Sequence, residues 1–223
     1  MMVKGGDSMK NIPVFTTQFG VASLILKEVL YKGEAYIKIQ DARDPEKLLE
    51  ECCDFCRAVG AQRIYASGHA CLEKYSLHTA VYKMTVNRES LADTDAALFP
   101  VTVQTLEQWR EIYNRSMMQV ANASYMTESD GKKMLNDGDG YFIHKDGVLM
   151  GIGKASDDRI DAVVSCMPGA GSEVVMALTH ALSGEQICLE VASVNTRAIA
   201  LYERIGFVKT AEISRWFFVS DVM

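Results

Sequence analysis

Between Val163 and Leu182 the sequence passes from a β-rich stretch through Pro168-Gly169-Ala170-Gly171-Ser172 into an apolar helical pattern. A helix start leaves about four backbone N–H groups unpaired and carries a partial positive charge. Glycines on the approach let a ligand come close to that backbone. Strand, glycine turn and helix in this order therefore suit an anion such as phosphate, although Gly169 and Gly171 serve a tight turn equally well. Two nucleotide-binding readings fail. A P-loop needs Gly-Lys-Ser/Thr where this chain has Gly171-Ser172-Glu173. A dinucleotide fold could use Glu190 as its acidic residue. Its third glycine position is Val174, however, and too few residues follow to complete a doubly wound sheet.

Cysteines stand at 52, 53, 56, 71, 166 and 188. Cys53-Asp-Phe-Cys56 has the CxxC spacing, but His69-Ala-Cys71 is an uncommon second pair for a structural zinc. Leu48, Leu49, Cys52, Cys53, Cys56 and Val59 recur at helical spacing, so these thiols read as small core residues and no metal is expected. The 223 residues are 48% hydrophobic and 23% charged, which excludes a disordered or collagen-like chain. Lys and Arg number 23 against 29 Asp and Glu, a net charge of −6 that argues against nucleic acid or an anionic membrane as partner. No apolar run approaches the ~20 residues of a membrane span. Residues 1–6 read as a start-site remnant, and the first ten show no apolar leader, so a cytoplasmic protein is expected.

The elements around the glycine turn fall into two regions. Residues 1–95 form an α/β region: strand at Val14–Leu26, turn at Lys32-Gly33, strand at Glu34–Gln40, then a helix from Asp44-Pro45 to Gly60. Strands follow at Arg63–Ser67 and His78–Val86, and the polar stretch Asn87 to Asp95 reads as a linker. In residues 96–223, Leu98–Thr102 is a strand, and Thr105 with Gln108 makes a capping box. A helix follows with Leu106, Trp109, Ile112, Tyr113, Met117 and Val120 on one face. A short helix is expected at Asp130–Leu135. Strands at Tyr141–Lys145, Val148–Lys154 and Arg159–Met167 come next, the first two joined by the hairpin turn Asp146-Gly147. After the glycine turn come a helix through Leu182, strand Gln186–Ala192, helix Asn195–Ile205 and a strand from Phe207 to Val219. The class is α/β with a mixed sheet.

The segment Leu189-Glu-Val-Ala-Ser-Val-Asn195-Thr-Arg-Ala198-Ile-Ala-Leu201-Tyr202-Glu-Arg-Ile-Gly206-Phe207 closely resembles the Asn-x-x-Ala…Leu-Tyr…Gly-Phe signature of the GNAT family of acyl-CoA N-acyltransferases. The resemblance covers roughly 97–223, and the glycine turn stands where that family binds the CoA diphosphate. Residues 20–86 resemble more weakly the second half of another such domain without its glycine loop, so a partial GNAT-like half is expected there. The family's loop reads Arg/Gln-x-x-Gly-x-Gly/Ala. Here Pro168 runs straight into Gly169-Ala170-Gly171, and the Arg or Gln is missing.

The resemblance implies direct transfer of an acyl group, most simply acetyl from acetyl-CoA as co-substrate, to a small-molecule or peptide amine. It implies cofactor contacts from Ser165, Cys166 and Met167 at the strand end, from Gly169, Ala170, Gly171, Ser172 and Glu173 at the loop, and from Asn195, Ala198 and Tyr202. An amine with a pKa of about 10.4 must lose a proton, and the departing thiolate benefits from gaining one. Tyr202, at the family's tyrosine position, is the expected general acid; packing along Ala198, Leu201, Tyr202 and Ile205 is the competing role. Asn195 also suits the N-cap of the last helix. For the base, Glu190, Asp161, His144, His180 and an ordered water chain stay open. The missing Arg or Gln motivates an alternative, a catalytically silent CoA-binding or protein-interaction module. A homodimer is compatible with the sequence.

Overall fold

The structure, a computed structural model, describes residues 13–221; the reading of residues 1–6 lies outside them. The elements in chain order are β1 (Val14–Thr17), β2 (Gly20–Ile25), α1 (Val29–Lys32), β3 (Glu34–Ala42), α2 (Pro45–Ala58), β4 (Arg63–Ser67), β5 (Ser76–Asn87) and β6 (Ala97–Pro100). They continue with α3 (Leu106–Met117), α4 (Glu128–Asp137), β7 (Gly140–Lys145), β8 (Val148–Ser156), β9 (Arg159–Ser165), α5 (Gly171–Thr179), β10 (Gln186–Ala192), α6 (Thr196–Ile205) and β11 (Val208–Asp221).

The chain divides into two compact units. The first holds the residues up to Thr79 together with those from Ser214 onward; the second is Ala80–Ile213. In the first unit β1, β2, β3 and β4 lie side by side, with the end of β11 antiparallel to β4. The expected strand over Val14–Leu26 is a hairpin instead: the chain reverses at Gln18-Phe19, and Gly20, paired with Thr17, takes a φ of 152° where a Cβ would meet the Asp41 carbonyl oxygen at 2.4 Å. Asp44 caps α2 by accepting from the Lys47 N–H at 3.2 Å, with Pro45 in the first turn. Cys52 and Cys56 are fully buried and Cys53 nearly so, packed with Leu24, Ile37, Leu48 and Ile64.

In the second unit the strand order is β11, β5, β10, β9, β8, β7, β6. β9 and β10 run parallel, while β10 with β5 and the hairpins β7–β8 and β8–β9 are antiparallel. Asp146 and Gly147 both take positive φ, 51° and 76°, which matches the twist of a two-residue hairpin. The expected boundary at 95/96 differs from the division between units, which falls inside β5 and again inside β11. Asn87 to Asp95 is polar, but it is tied down. Arg88 donates to the Leu182 carbonyl, Thr94 to the Glu173 carboxylate, and Ala96 is buried.

Helix starts show a second departure. Thr105 makes no cap to α3; its hydroxyl accepts from the Thr102 N–H at 2.9 Å instead. The capping box belongs to α4, where Thr127 accepts from the Asp130 N–H and the Asp130 carboxylate accepts from the Thr127 N–H. The α3 face is as expected around Trp109, which is fully buried and donates its ring N–H to the Tyr141 carbonyl at 3.1 Å. Helix α5 ends at Thr179, short of Leu182. Among the described residues no helix is long and apolar enough to cross a membrane. No group of three or more His, Cys, Asp or Glu among them is arranged to hold a metal ion.

Candidate functional site

Strands β9 and β10 pair at two positions only, Cys188 with Arg159 and Leu189 with Ile160. Beyond them β9 continues to Ser165 and stays paired with β8, while β10 continues to Ala192 paired with β5. A cleft of about 640 Å³ takes in the end of β9, the turn into α5, and one side of α6.

The turn is built by its own residues. The Ala170 N–H donates to the Met167 carbonyl at 3.2 Å, enclosing Pro168 and a Gly169 at φ 82°. Proline followed by a glycine of positive φ is the pattern of a type II turn, which no β-branched residue at 169 would tolerate. Ser165 helps by donating its hydroxyl to the Met167 carbonyl at 2.7 Å. A Cβ on Gly169 would meet nothing within 4 Å, so the approach is open.

Helix α5 opens on Ala170 without a side-chain cap. The N–H groups of Gly169, Gly171, Ser172 and Glu173 find no acceptor among the described residues; the first bonded amide of the helix is Val174, to the Ala170 carbonyl at 3.0 Å. Burial of Val174, Val175 and Leu178, all fully enclosed, anchors the helix. At about 1.5–3 kcal/mol for each such side chain, that outweighs a missing cap of ~1 kcal/mol. The helix sits tight on the sheet because β8 offers glycines beneath it. A Cβ at Gly153 would meet Leu178 at 2.3 Å, and one at Gly151 would meet the Val164 carbonyl oxygen at 2.3 Å.

On α6, Asn195 caps the helix by accepting from the Ala198 N–H at 3.2 Å, which leaves its side-chain NH₂ for the cleft. Tyr202 also lines the cleft and is only 8% exposed, its ring against Phe207 at 5.9 Å. Its hydroxyl has no hydrogen-bond partner among the described residues, and burial alone pushes its pKa up to about 12. A phenol in that setting keeps its proton and has no internal acceptor to satisfy. Cys166 is exposed at the strand end; the surrounding protein raises its thiol above the ordinary value, and Arg115 pulls the other way.

Of the residues expected at the cofactor, the cleft brings together Ser165, Cys166, Met167, Gly169, Gly171, Asn195, Ala198 and Tyr202. Three do not line it. Ala170 is buried within the turn, Ser172 lies off the cleft, and the Glu173 carboxylate is turned to Thr94 and to Lys145 at 3.0 Å. Ser172 and Glu173 keep backbone amides with no acceptor among the described residues. The four side chains weighed as base are absent from the lining. Asp161 pairs with Lys154 and Arg159, each at 2.7 Å, Glu190 with Arg159 at 3.2 Å, and His180 with Asp93 at 3.1 Å. His144 stacks edge-on against Phe99. Sequence reasoning missed Arg197 and Arg204, which line the cleft beside Leu201. Their i, i+4, i+7 spacing from 197 through 201 to 204 was the available signal.

Residues 167–217, the stretch from the glycine turn to β11, match the family model described as FR47-like protein. No curated protein matches the sequence. Among solved structures, a functionally unknown conserved protein from Staphylococcus epidermidis is similar with a TM-score of 0.59 at 13% identity, over 95% of both chains. A GCN5-related N-acetyltransferase from Kribbella flavida is similar with a TM-score of 0.57 at 14% identity, over 95% of this chain and 90% of that one. A tandem GNAT protein from the clavulanic acid biosynthesis pathway gives 0.53 at 13% identity, over 90% and 78%. The chain has the GNAT fold. The family-model match on the glycine turn and last helix, joined to that fold, supports its identification with the GNAT family.

Proposed function

We propose that the protein is an acyl-CoA-dependent N-acyltransferase that moves an acetyl group from acetyl-CoA to a primary amine by direct attack. The observation that carries this reading is the meeting, on one cleft, of the glycine turn into α5, with its unpartnered Gly169 and Gly171 amides, and the unpartnered hydroxyl of Tyr202. The amides and the helix dipole hold the diphosphate. The open edge of β9 near Ser165–Met167 receives the pantetheine arm as an added strand would, with the Asn195 side-chain NH₂ donating to it. The attacking amine forms a C–N bond to the acyl carbon as the C–S bond breaks, and Tyr202 gives its proton to the departing sulfur. With none of Glu190, Asp161, His144 and His180 on the cleft, the amine's proton leaves to water. No metal takes part. A reducing, cytoplasmic compartment suits six free cysteines.

The test is release of free CoA thiol from acetyl-CoA with a panel of small and peptide amines. Amine-dependent release is expected. Tyr202→Phe should lower turnover by about 10²-fold or more, the usual worth of a general acid, with CoA affinity little changed. Binding of CoA without turnover on any amine would instead support the silent CoA-binding module.

A further inference from the structure

β9 and β10 run side by side for two residues and then part, and the first residue past the parting is an acid on each strand. Pairing ends at Ile160 on β9 and Leu189 on β10; Asp161 and Glu190 come next. One side chain holds both. Arg159, itself within the paired stretch, donates from Nε to the Asp161 carboxylate at 2.7 Å and meets the Glu190 carboxylate with Nη1 at 3.2 Å. The other Asp161 oxygen accepts from Lys154 at 2.7 Å, and Lys154 also pairs at 2.7 Å with the buried Asp139. Asp161 is in addition the extra residue of a register shift. Lys154 on β8 faces Ala162 and Ala155 faces Ile160, so β9 carries one residue more between them. Such a bulge bends its strand and re-aims a side chain. Two residues further on, Val163 begins the β9 wall of the cleft, which Ser165, Cys166 and Met167 continue.

We infer that Arg159 is a positioning residue: its fork clasps Asp161 and Glu190 where the strands part, and so fixes the place and angle at which β9 leaves β10 to wall the cleft. The inference rests on the acyl-CoA reading above for what the cleft does, and on strand geometry for the clasp. A single exposed ion pair is worth little, since ordering two long side chains offsets most of the attraction. Here one planar guanidinium serves two carboxylates on two strands, and Lys154 already orders Asp161, so that cost is shared. A lysine carries the same charge at one point and lacks the fork. The clasp also gives Asp161 and Glu190, neither of which lines the cleft, a task there other than proton transfer.

Two readouts on the wild-type chain, Arg159→Gln and Arg159→Lys test this, one of them independent of activity. Amide hydrogen exchange compares the Cys188 N–H, which donates to the Asp158 carbonyl at 2.8 Å across the two strands, with the Cys166 N–H, which donates to the Met150 carbonyl at 2.8 Å on the other side of β9. In Arg159→Gln the Cys188 amide should exchange about fivefold faster or more, the factor for ~1 kcal/mol, with Cys166 unchanged. Turnover of acetyl-CoA with an amine should fall about tenfold or more in kcat, because small displacements of a positioned group are costly, with KM for acetyl-CoA little changed. Arg159→Lys should recover the melting temperature but not kcat. A purely structural role would lower the melting temperature and leave kcat per folded molecule intact, and that result overturns the inference. Unchanged exchange at Cys188, or full recovery of kcat in Arg159→Lys, overturns it as well. A wild-type chain that releases no CoA thiol with any amine overturns the acyl-CoA reading instead, and the exchange readout still decides the clasp.

Discussion

Tyr202 shows how one residue can meet a packing demand and a chemical one together. Its ring closes the core beside Phe207, and its hydroxyl stays unpartnered at the cleft wall. Because desolvation favours the neutral phenol, the proton needed by a leaving thiolate is held far above neutral pH. The pH dependence follows with a definite sign. Turnover rises as the amine acceptor deprotonates and does not fall on the alkaline side until pH approaches 12. An alkaline limb near the ordinary phenol value of about 10 would show Tyr202 to be solvated or uninvolved. Asn195, Ala198 and Tyr202 were legible in the sequence because their roles lie on one helix at fixed spacing. Arg197 and Arg204 obey the same periodicity. That spacing puts them on one face of the helix, but that the face lines a cleft is set by a turn some 30 residues earlier.

At the scale of elements, the site depends on two strands that part and a helix that sits close. β9 and β10 share two paired positions, and the cleft takes in the end of β9 beyond them. α5 can lie against β8 because Gly151 and Gly153 present no side chain to it. Gly151→Ala should therefore destabilise the fold by about 1–3 kcal/mol, the cost of overpacking, since its Cβ would meet a backbone oxygen rather than a flexible side chain. Thermal denaturation reads this out, and an unchanged midpoint would contradict the packing described. The hairpin at Asp146-Gly147 and the Asp44-Pro45 helix start were legible because turn and cap chemistry is local. The Thr105 capping box was not formed, although Thr105 has an oxygen of the right kind. Thr102 captures that hydroxyl, and the box forms at Thr127 and Asp130. A Thr with a side-chain acceptor three residues on stands at both places, Gln108 at the first and Asp130 at the second, and the box forms at the second.

Across the whole molecule, thiols and charge are unevenly disposed. Cys52, Cys53 and Cys56 are buried, with pKa values pushed up to about 12, 11 and 12 by burial, while Cys166 alone is classed as exposed and lies on the cleft. A thiol reagent applied to the native protein should modify Cys166 well before those three, and CoA should slow that reaction. Equal labelling with and without CoA, followed by mass spectrometry of the peptides, would separate Cys166 from the bound arm. The acidic balance of the whole sequence masked Arg197 and Arg204 on the cleft. Net charge averages over the molecule, whereas binding feels charges within about 10 Å at ordinary ionic strength.

The most direct measurement is a titration of ¹⁵N-labelled protein with CoA, following each backbone amide by NMR. The amides of Gly169, Gly171, Ser172 and Glu173 should shift most and downfield, as free N–H groups do on donating to an anion, together with those of the first turn of α6. Saturable binding that leaves these four signals in place would contradict the claim that the start of α5 grips the diphosphate.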